Sequence, residues 1–255
     1  MQRNKITLKI FNYHMIIEYD GSKFIGWQIQ KKGRSIQGEI QKNLKKIFKR
    51  EITLIGSGRT DSGVHAIAQS SNFLTDKLLD CKKLQARLNH FLKEKKISII
   101  SIKNKDVKFH SRYSAVERKY RYLIVNRKSP LALDTLRAWH IKNKLNIDIM
   151  KRGAKILVGK HDFSTFRSSS CGAKSPVRTM KKVEIIKKQN GKIYIHFVSK
   201  SFLQQQVRSM VGCIKYLGEG KWSLKKFTKV FKSKKRIMCA PPAPACGLYL
   251  LGVKY

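Results

Sequence analysis

The chain has few acidic residues, no paired cysteine motif and no long apolar run. Only 15 of its 255 residues are Asp or Glu, and no motif clusters carboxylates as a metal-dependent nuclease requires. Its 5 cysteines are odd in number and include no C-x-x-C pair, which excludes a recognisable disulfide framework or zinc site. No apolar stretch approaches the length of a bilayer span, and residues 1–5 lack a signal core. We therefore expect an unprocessed cytoplasmic protein without a membrane or metal partner.

Basic residues, in contrast, are present in great excess. Lys and Arg number 56, which gives a formal net charge of +41 and points to a polyanionic partner, nucleic acid first. Lysine clusters at residues 42–50, 93–96 and 225–236 are the natural phosphate contacts, although such clusters are often only solvated faces. Drift towards lysine in an AT-rich genome is an alternative source of part of the charge. An anionic membrane surface fits less well because the chain has no long basic amphipathic helix.

Hydrophobic periodicity predicts strands and helices along the whole chain. Strands are predicted at residues 8–20, 51–55, 66–74, 97–102, 120–125, 183–187, 193–199 and 247–253. Helices are predicted at 36–48 behind an N-cap at Ser35, and at 81–93, 147–158, 202–217 and 224–231. Asn190-Gly191 predicts the turn of a hairpin. The order favours helices packed on a mainly antiparallel sheet, with an N-terminal lobe at 1–105 and a C-terminal lobe at 106–255.

The stretch 55–66 joins two predicted strands and contains three glycines around one carboxylate, Asp61. Glycines permit backbone angles and close approaches that suit a side chain directed at a ligand. An aspartate is ionised at neutral pH without assistance, so Asp61 is a candidate nucleophile or base. Glycine-rich polar loops between strands are also common as simple turns, in which aspartate bonds its own backbone. The loop alone leaves both interpretations open.

Cations and aromatics elsewhere in the chain are candidates to complete a site. Arg59 precedes the carboxylate by two residues, and Arg208 lies beside the apolar stripe of its predicted helix, where it is equally compatible with an ordinary surface arginine. Tyr120 lies in a stretch of alternating cations and aromatics that suits either base stacking or core packing. His65 has no Cys or carboxylate partner at ligand spacing, so it is interpreted as a structural or RNA-contacting residue.

The stretch Gly58-Arg59-Thr60-Asp61-Ser62-Gly63-Val64-His65-Ala66 resembles the G-R-T-D-x-G-V-H-A signature of the TruA family of tRNA pseudouridine synthases. Further stretches agree with that family in the same order. They are Tyr19-Asp20-Gly21, Gly26-Trp27-Gln28, Phe109 to Ala115, Lys119 to Tyr122, His161 to Arg167, Phe202-Leu203 with Val207-Arg208, Ala240-Pro241-Pro242 and Gly247 to Leu250. The resemblance spans nearly the whole chain, and it makes the simple-turn interpretation of Asp61 the minor one.

The resemblance implies an α+β pseudouridine synthase fold. Two pseudo-symmetric lobes would share a continuous, mainly antiparallel sheet with helices on its outer face and an active-site cleft between the lobes. It also implies a homodimer on which tRNA lies across both subunits.

The implied reaction is isomerisation of uridine to pseudouridine at uridines 38, 39 and 40 of the anticodon stem-loop, with neither metal nor organic cofactor. By motif position, Asp61 is the nucleophile, Arg208 pairs with it, and Tyr120 stacks on the uracil and serves in proton removal. The implied substrate contacts are Arg59, which holds the target nucleotide out of the stack, Leu248 or Leu250 in an apolar wall, and His65.

A non-catalytic RNA-binding or tRNA-folding protein is the competing interpretation. It would keep the basic cleft and lose turnover, whereas the presence of Asp61, Tyr120 and Arg208 together favours the enzyme. The chain departs from the family pattern at Gln206, where a methionine is common, and at Cys246. Neither departure involves the proposed nucleophile.

Overall fold

The computed structural model describes residues 9–255. Residue 8, where the first strand was predicted to begin, and the N-terminal residues 1–5 lie outside this range.

The described chain contains ten strands and five α-helices. The strands are β1 Phe11–Tyr19, β2 Ile55–Gly56, β3 His65–Thr75, β4 Ile97–Lys105, β5 Glu117–Asn126, β6 Trp139–Ile141, β7 Gly159–Asp162, β8 Val177–Lys187, β9 Lys192–Ser199 and β10 Leu248–Lys254. The helices are α1 Ile36–Phe48, α2 Cys81–Leu92, α3 Ile147–Ile156, α4 Gln206–Gly218 and α5 Leu224–Lys232. Most predicted elements are confirmed, whereas the short strands β6 and β7 were not predicted.

One sheet runs through both halves of the chain. Its strand order is β4-β1-β3-β10-β5-β9-β8-β7, with β2 paired to β3 and β6 paired to β5. Among residues 9–255, the β10–β3 and β5–β6 pairings are parallel and the other strand pairings are antiparallel. The predicted α+β fold with a continuous, mainly antiparallel sheet is confirmed. Because the last strand lies between β3 and β5, it joins the two halves, and the lobe boundary at 105/106 stays a prediction.

Local signals explain where several elements begin and end. The Ser35 side chain accepts a hydrogen bond from the Gly38 amide at 3.2 Å, which caps α1 as predicted. The β8–β9 hairpin turns at Asn190 (φ 56°) and Gly191 (φ 71°). Positive φ at both central residues is typical of the tight turn that Asn-Gly favours, so the predicted hairpin is confirmed.

The predicted strand at 51–55 is wrong except at its last residue. Residues 51–54 form no strand, and glutamine side chains of α1 bond both backbone groups of Leu54 at the end of this stretch. Gln37 Nε2 donates to the Leu54 carbonyl at 2.8 Å, and the Leu54 amide donates to Gln41 Oε1 at 3.2 Å. The side chains replace the strand partner that these backbone groups would otherwise need.

The predicted helix at 202–217 begins four residues late, at Gln206. Gln205 adopts a left-handed conformation (φ 60°, ψ 4°) just before the helix, which a continuous helix does not allow. The Gln206 side chain accepts a hydrogen bond from the Leu203 amide at 2.8 Å. Residues 200–205 are therefore an ordered loop that leads into α4.

The helices pack on one face of the sheet. Along β9, buried residues alternate with half-buried ones, which indicates one covered face and one open face. The buried members of that alternation belong to a single hydrophobic core that also includes residues of all five helices. No helix in the part of the chain that the structure describes is both long enough and apolar enough to cross a bilayer.

A half-buried histidine on β1, His14, makes stability depend on pH. Burial, with Lys105 and Lys103 nearby, lowers the pKa of His14 from 6.5 to about 4. Since the unfolded chain binds this proton more tightly, the free energy of unfolding is expected to fall as the pH drops from 6.5 towards 4. Replacing His14→Gln should reduce the loss between about pH 7 and about pH 5 by on the order of 1 kcal/mol, allowing for partial exposure.

Urea unfolding at the two pH values measures this effect. The exposed His90 supplies the control, since His90→Gln should lose as much stability as the wild type. Equal losses in the wild type and His14→Gln would contradict the prediction.

Candidate active site

Hydrogen bonds hold the loop that carries Asp61 at both of its ends. The Ser57 amide donates to the Ser70 carbonyl at 2.8 Å, and Gln69 Nε2 donates to the Gly58 carbonyl at 2.9 Å. On the far side, the Val64 amide closes a turn on the Asp61 carbonyl at 3.1 Å. The loop is therefore held by buried hydrogen bonds rather than left as a free surface turn.

A second, aromatic loop at residues 20–28 lies against it. The Trp27 amide donates to the Thr60 carbonyl at 3.1 Å, and Thr60 Oγ1 lies 2.8 Å from the hydroxyl of Tyr19. Gly26 has φ 113°, and a Cβ there would lie 2.5 Å from the Thr60 carbonyl oxygen. Glycine at this position allows the two loops to make backbone contact.

Asp61 faces a cation from the other half of the chain. Arg208 Nη1 lies 3.4 Å from Asp61 Oδ2, with the Asp61 side chain 28% and the Arg208 side chain 17% exposed. Within residues 9–255, Oδ1 of Asp61 makes no hydrogen bond. One carboxylate oxygen is thus paired, and the other remains free to approach a ligand.

Arg208 is held in place by the chain after α5. Its Nε donates to the Ala243 carbonyl at 2.8 Å, while the Ala243 amide donates to the Arg208 carbonyl at 3.0 Å. Gly212, one turn further along α4, allows this segment to lie close, because a Cβ would meet the Pro241 carbonyl oxygen at 2.1 Å. The guanidinium therefore reaches Asp61 from a fixed base.

Tyr120 lies on β5 beside this pair. It is 7% exposed, and its ring meets that of Phe202 edge to face at 5.1 Å. Burial raises the pKa of Tyr120 to about 12, an effect that Arg118 opposes and the Asp61 carboxylate reinforces. The phenol is therefore neutral at neutral pH, a state that suits stacking on a base better than removing a proton from one.

The predicted apolar wall lies on β10, opposite Tyr120. Leu250 pairs in register with Tyr120, and Leu248 pairs with Tyr122. Both leucines are buried, at 6% for Leu248 and 1% for Leu250. As register partners on adjacent strands, each leucine lies on the same face of the sheet as its tyrosine.

Arg59 and His65 have very different surroundings. Arg59 is exposed and, within the described residues, forms no ion pair or hydrogen bond. His65 is 2% exposed, accepts from the Gly21 amide at 3.1 Å and donates to the Leu136 carbonyl at 3.0 Å. Burial lowers the pKa of His65 although Asp20 nearby opposes the shift. These contacts fit the structural interpretation of His65, and its contact with substrate stays a prediction.

Sequence reasoning missed Arg118, whose guanidinium reaches the Ser57 carbonyl at the start of the loop. The signal was available, because Arg118, Tyr120 and Tyr122 alternate along one strand and so share its buried face. Gln206, the departure from the family pattern, is fully buried, and its Nε2 lies 3.7 Å from Met180 Sδ. It packs beneath the site without contacting Asp61.

Within the described range, no cluster of three or more His, Cys, Asp or Glu side chains is arranged to hold a metal ion.

Known proteins are similar in sequence to this chain over most of its length. The family model described as tRNA pseudouridine synthase matches residues 15–114 and 154–255. The tRNA pseudouridine synthase A of Pelagibacter ubique is 58% identical over 96% of this chain and 100% of its own length. The proteins of the same name from Paramagnetospirillum magneticum and Parvibaculum lavamentivorans are 43% and 41% identical over 95% of this chain, and over 94% and 98% of their own lengths.

The contact between the two loops predicts a specific sensitivity at Gly26. The substitution Gly26→Ala should lower the free energy of unfolding by roughly 2 to 4 kcal/mol, because alanine resists the positive φ and its Cβ would clash with the Thr60 carbonyl. Chemical denaturation measures the loss.

Gly172 is the matched control, since a Cβ there would meet nothing within 4 Å. The variant Gly172→Ala should change stability by no more than about 0.5 kcal/mol. A Gly26→Ala protein as stable as Gly172→Ala would show that the aromatic loop does not fix the Asp61 loop.

Proposed function

The chain belongs to the tRNA pseudouridine synthase family, and from that premise we propose that it isomerises uridines 38, 39 and 40 of tRNA with Asp61 as the nucleophile. The enzyme converts uridine to pseudouridine, so substrate and product contain the same atoms. The bond between the ribose and N1 of uracil breaks, the base turns, and a bond from the ribose to C5 forms as the C5 proton leaves. The reaction requires no net oxidation and no group donor.

The pairing of Asp61 with Arg208 is the observation that carries this proposal. Arg208 Nη1 lies 3.4 Å from Oδ2, and this contact orients the carboxylate. Oδ1 remains free to attack, and an anion held in a half-buried site is a stronger nucleophile than one fully surrounded by water. Arg208 can also stabilise the charge that returns to Asp61 when the new bond releases it.

The target nucleotide must leave the RNA helix before Asp61 can reach it. The exposed side chain of Arg59, two residues from the nucleophile, is in position to contact the extruded nucleotide or the space it leaves. The neutral ring of Tyr120 supplies a surface on which the uracil stacks. We also propose that Tyr120 takes part in proton removal. This role requires the pKa of Tyr120, about 12 in the protein alone, to fall when substrate binds.

We also propose a partner, an oligomeric state and a cellular location for this protein. The charge of +41 supports tRNA as the partner. A homodimer with tRNA lying across both subunits, and a cytoplasmic location, stay predictions from the family resemblance.

The nucleophile is tested by the substitution Asp61→Asn. With tRNA labelled by tritium at C5 of uridine, turnover should fall about a thousandfold or more, because the amide cannot attack. Binding of tRNA should be retained, since phosphate contacts come mostly from lysines. Tritium release and a filter-binding assay measure the two properties.

Asp148, an exposed residue in the first turn of α3, provides a matched control. The variant Asp148→Asn should keep full turnover. If wild-type protein releases no more tritium than Asp61→Asn, the RNA-binding alternative is correct. If Asp61→Asn loses binding as completely as turnover, the carboxylate is structural.

The net charge of +41 also predicts how the affinity for tRNA depends on salt concentration. If about six to ten phosphates are neutralised, the affinity for tRNA should fall by about 10³ to 10⁵ between roughly 50 and 200 mM salt. The variant Asp61→Asn should show the same slope, because the slope reports phosphate contacts and not chemistry. A nearly flat salt dependence would mean that most of the basic excess does not contact RNA.

A further inference from the structure

Arg118 is a buried cation whose hydrogen bonds all go to backbone carbonyl oxygens. It is the second residue of β5 and is 9% exposed. Its Nε and Nη2 donate to the Ser57 carbonyl at 3.2 and 2.6 Å, its Nη2 donates to the Arg112 carbonyl at 2.9 Å, and its Nη1 donates to the Lys200 carbonyl. Among residues 9–255, no carboxylate forms an ion pair with it. The side chain is therefore arranged to bind backbone and not to neutralise a charge.

The three acceptors belong to three segments that meet at the site. Ser57 begins the loop that carries Asp61, four residues further on. Lys200 begins the loop before α4, and the ring of Phe202 in that loop packs against Tyr120. Arg112 lies in the segment between β4 and β5. Arg118 thus fastens the Asp61 loop to the strand and the loop that hold Tyr120.

We propose that Arg118 is a positioning residue that fixes the distance between the Asp61 loop and Tyr120. Arg118 and Tyr120 are two residues apart on β5, so they share a face and a rigid backbone. The guanidinium of Arg118 makes four hydrogen bonds from three nitrogens spread over a planar fork. A lysine ammonium has only three donors, all on one nitrogen, and an uncharged side chain of similar volume has fewer, so neither can reproduce the set. Without it, the Ser57 end of the loop loses its link to β5.

The unfavourable free energy of burying Arg118 indicates that this side chain has a role beyond packing. Burying an unpaired guanidinium is unfavourable, and burial lowers the pKa of Arg118 below its ordinary value. An apolar side chain would fill the same space at less cost if packing were the only requirement. A loop displaced by about 1 Å would, in contrast, misplace the nucleophile enough to slow the reaction about a hundredfold.

This inference rests on the proposed function, and its test separates the two. Single-turnover rates with saturating enzyme, tRNA affinity and melting temperature are measured for the wild type, Arg118→Lys and Arg118→Met. We expect the rate to fall at least about tenfold for lysine and about a hundredfold for methionine. The affinity for tRNA should change by less than about threefold, because a buried side chain does not contact phosphate.

Hydrogen exchange supplies a readout that does not depend on activity. Amides of residues 58–64 should exchange faster in Arg118→Lys than in the wild type, while those of α1 should not. The control is Arg127, which follows β5 and also donates to backbone carbonyls, those of Ser129 and Pro130. The variant Arg127→Met should match the wild type in rate and in exchange of residues 58–64.

The possible results distinguish failure of the proposed function from failure of the positioning role of Arg118. An inactive wild type would overturn the proposed function, whereas an active wild type with a normal rate in Arg118→Lys would overturn this inference alone. A loss explained by weaker binding would identify Arg118 as an RNA contact, and a loss matching the unfolded fraction would make it a general stabiliser; either result contradicts positioning. If Arg118→Met does not fold, the rate and exchange of Arg118→Lys decide the question.

Discussion

The site depends on one ion pair between distant parts of the chain. Asp61 belongs to a loop between β2 and β3, and Arg208 belongs to α4 near the other end of the sequence. A pair with the exposure of these two side chains adds little to stability, because solvent weakens the attraction and holding both side chains costs entropy. Its importance lies in geometry: it orients one carboxylate oxygen and leaves the other unbonded. Much of the surrounding structure serves to keep that distance.

The strand β10 is the element that makes the pairing possible. It lies between β3 and β5, with a parallel contact on one side and an antiparallel contact on the other. The Asp61 loop leads into β3, and Tyr120 lies on β5, so both are carried on strands that flank β10. The carbonyl of Ala243, which holds Arg208, belongs to the segment that leads into β10. Asp61, Arg208 and the ring of Tyr120 are therefore placed by one short stretch of sheet.

Sequence patterns predicted those elements whose stability is local. Helix α1 has its cap at Ser35 and a regular apolar stripe, and the β8–β9 hairpin has Asn-Gly at its turn, so the helix and the turn were predicted accurately. Strand β8, predicted from residue 183, begins six residues earlier, at Val177. Residues 51–54 have the composition of a strand, yet glutamines of α1 take the place of a strand partner for the backbone of Leu54. The start of α4 was misplaced because a left-handed Gln205 is set by tertiary contacts that no local pattern records. The candidate site residues Asp61, Tyr120 and Arg208 were proposed from motifs, whereas the contacts of Arg118 depend on three segments far apart in sequence.

The scarcity of acidic residues has a consequence for Asp61. A chain with a charge of +41 creates a positive potential of the kind that attracts polyanions, and its few carboxylates lie among many cations. Most of the acidic side chains that form ion pairs do so with lysines or arginines at the surface, as Lys192 does with Asp134. Asp61 differs because, among the described residues, the one cation paired with it is Arg208, which the Ala243 carbonyl holds in place, and this pairing leaves one carboxylate oxygen free.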